Sequence, residues 1–485
     1  MSDAPDTAVA RQHYGLTLAV LATSALAYAL SQTMVAPALP DIQHTLGTST
    51  TSVTWVLTVY LLSASVATPI VGRLGDMFGK ERVLVLVLGA FGAGSLVCAL
   101  SHSIEVLVAG RVIQGIAGAI FPLAFGIIRD EFPRDRVGTG IGLISATFGV
   151  GGAAGLVLSG VIVENLSYEW LFWLSLIVTL PAMLATHLFV PESPIKSPSR
   201  IDWGGASLLS ATLVCLLVGV SYGPQWGWAS ARVLGLFAAS AVLCVVWVRY
   251  EQGVRDPMVD IQMMRRRAVW TTNLTGLLVG FGMFGSFILI PQFVQLPLST
   301  GYGFGASVTE AGLFLLPSAG VMLFAGPVAG LLGNRFGSRV PLMLGTLVAS
   351  AAFILLAVAH SERWEIYVAG ALMGIGIGFA FASMANLIVD AVPQSQVGVA
   401  TGMNSIMRTI GGSLGGQIAA SIVATHLIAG SQLPAESGFT LAFALSAAAL
   451  VVAFLAALAI PRRLRTHAQP VADEHPPAAA IQPAA

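Results

Sequence analysis

Apolar runs of about twenty residues, nearly free of charge, alternate along the chain with short segments that hold almost all of its bases. A run of that length crosses the ~30 Å hydrocarbon core of a bilayer as a helix, because no water is present there to satisfy an irregular backbone. The pattern predicts fourteen such helices, over 15–38, 53–72, 82–101, 104–128, 138–162, 170–190, 203–221, 232–249, 268–292, 307–328, 340–359, 366–388, 397–425 and 438–460. The segment after Arg465, rich in Ala and Pro and without apolar period, reads as a disordered tail.

Composition agrees. Of 485 residues, 56% are hydrophobic and 9% charged, against about a quarter charged in soluble domains. The fold class is therefore all-α and polytopic, with the lipid bilayer as its first partner. Charge is balanced, 23 Lys and Arg against 23 Asp and Glu, so nothing points to a nucleic-acid partner and none is expected. Cys98, Cys215 and Cys244 lie inside apolar runs without CxxC or zinc spacing, so no metal, cofactor or disulfide framework is expected. The first run is too long for the core of a signal peptide and is read as a retained helix.

The bases set the orientation. With the amino terminus inside, the inner segments hold Arg11; Arg73, Lys80, Arg82; Arg129, Arg134, Arg136; Lys196, Arg200; Arg249, Arg255, Arg265, Arg266, Arg267; Arg335, Arg339; and Arg462, Arg463, Arg465, together 19 of the 23 bases. This positive-inside bias predicts a cytoplasmic (inner) membrane protein with both termini in the cytoplasm.

The chain also repeats. A shift of 260 superposes Asp130, Pro133, Gly138, Gly142 and Ser145 on Asp390, Pro393, Gly398, Gly402 and Ser405, and a shift of 258 lays Gly72, Gly75 and Gly79 on Gly330, Gly333 and Gly337. Two six-helix copies in one orientation, with two helices inserted between them, give a 6+2+6 plan. Its parts are an N-terminal segment (1–14), a first half (15–190), a linker with the inserted pair (191–267), a second half (268–460) and a tail (461–485). Parallel repeats imply a pseudo-twofold axis along the membrane normal and a cavity between the halves. Such a plan suits a transporter of a small-molecule substrate, expected as a monomer.

The stretch Gly72 to Leu84, GRLGDMFGKERVL, reads as a polar hinge between two helices. Gly72 and Gly75 allow close helix approach, and Gly79 a turn with positive φ. Asp76 can accept from neighbouring bases such as Lys80 and Arg82, or from a helix N-terminus of the other half, and would then latch one side shut. Its repeat counterpart is Asn334, which keeps the turn and lacks the charge. Arg111 lies about seven residues into the fourth helix, roughly 10 Å deep at 1.5 Å per residue, and Gln114 shares its face. Arg408 is similarly deep in the thirteenth. A base at such depth needs a wet cavity or a partner.

These motifs carry a resemblance. Gly72, Leu74, Gly75, Asp76, Gly79, Lys80 and Arg82 resemble the loop 2–3 signature of the major facilitator superfamily, and Arg111, Gln114, Gly115, Gly118 and Ala119 its helix 4 antiporter motif. The PES at Pro191 to Ser193, the DWGG at Asp202 to Gly205, MRTIGGSLGG from Met407, and the inserted pair are similar to the 14-helix drug:proton antiporter branch. The resemblance implies the major facilitator fold, export of drugs or small natural products by alternating access, coupling to protons, and participation of Arg111 in that coupling.

The chain departs from that pattern. Ser31 stands where many members of the branch carry an acid, and the helix 5 motif has Leu156 and Ser159 in place of its proline and a glycine. The latter suggests the alternative of a non-drug permease or importer for a small metabolite or anion. Arginine stays charged, so a proton carrier is sought among Asp41, Asp76, Glu310 and His187. Further cavity candidates are Trp55, Tyr60, Asn273, Phe281, Gln292, Asn386 and Asn404, aromatics and amides suited to bulky apolar ligands. Two deep arginines without a helix 1 acid favour neutral or anionic substrates. GGSLG at Gly411 and the glycines from Gly149 mimic enzyme motifs, yet both lie inside apolar helices where the required strand is absent. No enzyme activity is expected.

Overall fold

The computed structural model describes residues 14–193, 196, 201–428, 431 and 433–461. The expected tail, most of the N-terminal segment, and Arg11, Arg200, Arg462, Arg463 and Arg465 lie outside the described residues.

The first half holds α1 (Tyr14–Thr45), α2 (Thr50–Phe78), α3 (Lys80–Ala99), α4 (Ile104–Glu131), α5 (Arg134–Asn165) and α6 (Glu169–Phe189). Next come α7 (Trp203–Trp226) and α8 (Ala231–Gly253), then α9 (Arg267–Gln295), α10 (Thr309–Phe336), α11 (Arg339–Val358), α12 (Arg363–Ala391), α13 (Val397–Thr425) and α14 (Glu436–Leu458). Among the described residues thirteen are long and apolar enough to cross a membrane. The fourteenth, α13, has 29 residues but carries Asn404, Arg408, Gln417 and a run of glycines, which lower its hydropathy. The protein is an all-α, multi-pass membrane protein.

Local signals explain the helix ends. Ser49, Ser103, Asp202 and Ser230 accept from first-turn amides of α2, α4, α7 and α8, the usual N-cap chemistry. Phe132 and Val392, each before a proline, are extended and stop α4 and α12 at equivalent repeat positions. The α2–α3 turn is a single residue, Gly79 at φ 113°, and its mate Gly337 turns α10 into α11 at φ 85°. Glycine alone adopts this region without strain.

One expectation changes here. Gly72 to Phe78 is the last two turns of α2, and Lys80 already begins α3, so the expected hinge is mostly helix. Gly72, Gly75 and Asp76, spaced i, i+3 and i+4, form one face packed on neighbouring helices. That packing outweighs the helix cost of about 1 kcal/mol per glycine.

The halves meet along two seams related by the repeat. α2 packs on α13, and α5 packs on α10 and α12. The inserted helices pack on each other, and α7 also lies on α2 and α13. The inserted pair therefore covers one seam only.

Candidate functional site

The end of the molecule carrying the α2–α3, α4–α5, α10–α11 and α12–α13 turns also carries most of the described bases and is called the basic end. There the Gly72 and Gly398 backbones touch: a Cβ on Gly72 would stand 2.6 Å from the Gly398 carbonyl oxygen. The approach brings Asp76, 1% exposed, onto the first turn of α13. Its carboxylate accepts from the amides of Gly398 (3.1 and 3.3 Å) and Val399 (3.4 Å). These are second and third amides of a helix that has no side-chain cap of its own, so Asp76 caps α13 from the other half. Charge at a helix N-terminus and unsatisfied first-turn amides are both answered at once.

Lys80 offsets the cost of burying this acid. Its ammonium, fully buried, lies 3.5 Å from Asp76 and 2.7 Å from Asp130, and Ser193 Oγ donates to the same Asp130 oxygen. Arg82 stands apart, 70% exposed and 3.3 Å from Glu192.

The second seam repeats the geometry with other chemistry. Asn334, the mate of Asp76, is exposed and donates to the Asp135 carbonyl (2.8 Å), and a Cβ on Gly138 would meet Asn334 Oδ1 at 2.6 Å. Asn386 Nδ2 approaches the Gly138 oxygen (3.5 Å). A solvent-open pocket at this seam is lined by Arg134, Asn334, Arg339, Asn386 and Asp390. Arg129 adds a bond across the halves, donating to the Val392 carbonyl (3.3 Å). At the opposite end α5 and α10 touch again, Thr309 donating to Glu164 (3.0 Å).

Arg111 is fully buried in α4. It donates to the Val56 carbonyl (3.0 Å) and to Gln114 Oε1 (2.8 Å), and lies 3.8 Å over the Tyr60 ring. Gln114 in turn donates to Ser95 (2.7 Å). Arg111 and Gln114 thus share one network, inside the first half. Gly115 and Gly118 press on Ser63 and Ala64 of α2, where α4 passes through a 3-10 turn at Ile116–Ala119.

Arg408 faces the interface. Its guanidinium stacks 4.3 Å over Phe381 and 5.8 Å over Phe148, and Phe148 is its own repeat mate. It lines a narrow cavity between the halves with Tyr28, Gln32, Phe121, Phe148 and Phe284. Sequence reasoning did not single out these neighbours, nor Asp130. The repeat was the available signal for Asp130, through Asp390, and for Phe148, through Arg408.

The other expected site residues scatter. Glu310 is exposed and completes a capping box with Ser307 at the start of α10. His187 is 69% exposed, 3.4 Å from Glu81. Gln292 is exposed. Trp55 lies tilted against Tyr222 of α7 (ring centroids 5.4 Å apart), and the Phe281 backbone abuts Gly415. Asn404 donates to Asn273 (3.1 Å), which lines a lateral pocket beside α8 with Trp247 and Met407. None of these seven lines the central cavity.

Two six-helix copies meeting along symmetry-related seams, one locked by the Gly72 to Arg82 motif, match a known pattern: the sequence fits the Major Facilitator Superfamily over residues 21–416 and again over 296–483. The chain belongs to the major facilitator superfamily. It is 29% identical over 420 residues to the tetracenomycin C resistance and export protein of Streptomyces glaucescens, covering 85% of this chain and 76% of that one. It is likewise 29% identical to multidrug resistance protein 3 of Bacillus subtilis, over 83% of this chain and 77% of the relative. The human organic anion transporter MFSD10 (TETRAN) superposes with a TM-score of 0.64 over 92% of this chain and 99% of its own, at 17% identity. That likeness concerns the fold. As a member of this superfamily the chain is a membrane transporter.

Proposed function

We propose that the protein exports drugs or small natural products across the cytoplasmic membrane by alternating access, driven by proton influx. The observation that carries this reading is the Asp76 cap on α13: a contact between halves that exists only while they meet at the basic end. Breaking it, with Asn334 releasing Asp135, would open the cavity around Arg408 to that side. The bias of bases assigns the basic end to the cytoplasm. Relatives named for tetracenomycin export and multidrug resistance support this substrate class. In this reading Arg111 and Gln114 hold α4 against α2 and α3 and tie the cavity to proton movement.

The test is accumulation of a panel of antibiotics and dyes in cells that express the protein, with and without an uncoupler. Lower accumulation that rises when the proton gradient collapses supports the proposal. Gradient-driven net uptake instead would replace export with the permease reading that Leu156 and Ser159 suggest.

A further inference from the structure

We infer that the cavity at Arg408 is built for planar aromatic monoanions, the anionic group on the guanidinium and the ring among the aromatic side chains. This deepens the transport reading and rests on it. Charge is the first ground. None of the lining residues is acidic, and Arg408 is the charged one; among the described residues it has no ion-pair partner. Arg111, the other deep base, does not line the cavity and is engaged with Val56, Gln114 and Tyr60. A cation entering here would meet like charge in a low-dielectric space with no carboxylate to receive it.

Donor supply is the second ground. A guanidinium has five N–H donors, and Arg408 has one hydrogen bond among the described residues, to Ser405 Oγ at 3.4 Å. A carboxylate or phenolate would take the rest, in the bidentate manner arginine favours. Across the cavity Gln32 Oε1 is buried with no partner. Its amide can turn to present N–H instead, a second handle for an oxyanion.

Shape is the third. Tyr28, Phe121, Phe148 and Phe381 form a continuous row, with ring centroids 6.0, 5.6 and 5.6 Å apart, and Phe284 lines the same cavity. Aromatic walls favour an inserted ring by stacking and edge contacts. The row ends on the face of Phe381 that carries the guanidinium, so ring site and charge site are contiguous. In this closed conformation the cavity has a volume of about 20 Å³, room for no more than a water, so a ring ligand is admitted only as the halves move apart.

The experiment uses the purified full-length protein in detergent and three probes alike in size: 1-naphthoate, 1-naphthalenemethanol and 1-naphthylmethylammonium. Thermal stabilisation against probe concentration gives apparent affinities. The wild type is expected to bind naphthoate about tenfold tighter than the alcohol and to show no saturable shift with the ammonium up to about 1 mM. Arg408→Gln is expected to abolish the preference for naphthoate and keep alcohol binding within about threefold, while Phe148→Ala weakens both. Equal or tighter binding of the ammonium to the wild type overturns the inference, a result that needs no variant to fold. So does absence of a naphthoate shift, or a naphthoate preference that survives in Arg408→Gln. The binding order is independent of efflux. Selective naphthoate binding by a protein that exports nothing would sink the export reading and keep the anion site; export of aromatic cations with no naphthoate binding would do the reverse.

Discussion

The Asp76 carboxylate of α2 lies 3.1 Å from the backbone nitrogen of Gly398 in the first turn of α13, joining the two halves of the molecule. The contact combines a helix cap with a charge–dipole interaction, each worth about 1 kcal/mol. It sits where the backbones are closest, so charge and shape act together.

Asp76→Asn keeps the shape and loses the charge. The expected outcome is a shift of the population toward an open basic end by roughly fivefold and a matching fall in transport. The check is labelling of an Asn386→Cys variant, whose thiol would sit in the basic-end pocket, by a membrane-impermeant maleimide. Unchanged labelling would remove Asp76 from the closing contact.

Gly72→Ala places a methyl group 2.6 Å from the Gly398 oxygen and is expected to push the seam apart, raising the same labelling and reducing efflux. Gly235→Ala, where nothing lies within 4 Å of the new carbon, is the control and should leave both unchanged. If the two variants behave alike, close approach at Gly72 does not govern closure.

Arg111→Lys retains the charge but cannot supply the fork that reaches both Val56 and Gln114. Loss of a hydrogen bond to a charged group costs about 1.5–3 kcal/mol, so a lower thermal midpoint in detergent is expected together with loss of transport at normal expression. An Arg111→Lys protein as stable and active as the wild type would show that charge alone suffices.

Glu310→Gln and His187→Ala are expected to leave uncoupler-sensitive efflux within about twofold of the wild type, since both residues are exposed and remote from the cavity. For Glu310→Gln a small loss of helix-cap stability, below about 1 kcal/mol, is the only change expected. Loss of coupling in either variant would return that residue to the list of proton carriers.

These cases show which features the sequence makes legible. The helices are plain because hydropathy and length suffice to mark a span, α13 included although its glycines, amides and arginine lower its hydropathy. The α2 end was read as a hinge because glycine and charge signal a loop locally, whereas here they face another helix. The contact of Asp76 with a helix N-terminus of the other half is legible because an acid among close-packing glycines needs donors across the seam. Glu310, His187 and Gln292 could not be placed: membrane helices are apolar all round, so the pattern marks no inward face. The neighbours of Arg408 come from helices up to 380 residues away in sequence, from Phe381 to Tyr28, and only the folded chain brings them together.

The unequal seams have a further consequence. One is charged, buried and roofed by α7; the other is an exposed amide contact beside an open pocket. Separation of the halves is therefore expected to begin at Asn334 and proceed toward Asp76, in the manner of a zip rather than a hinge. Water would reach the ring row from the α5 side first, and the inserted pair, by shielding the last seam to part, would set how long that half-open state lasts.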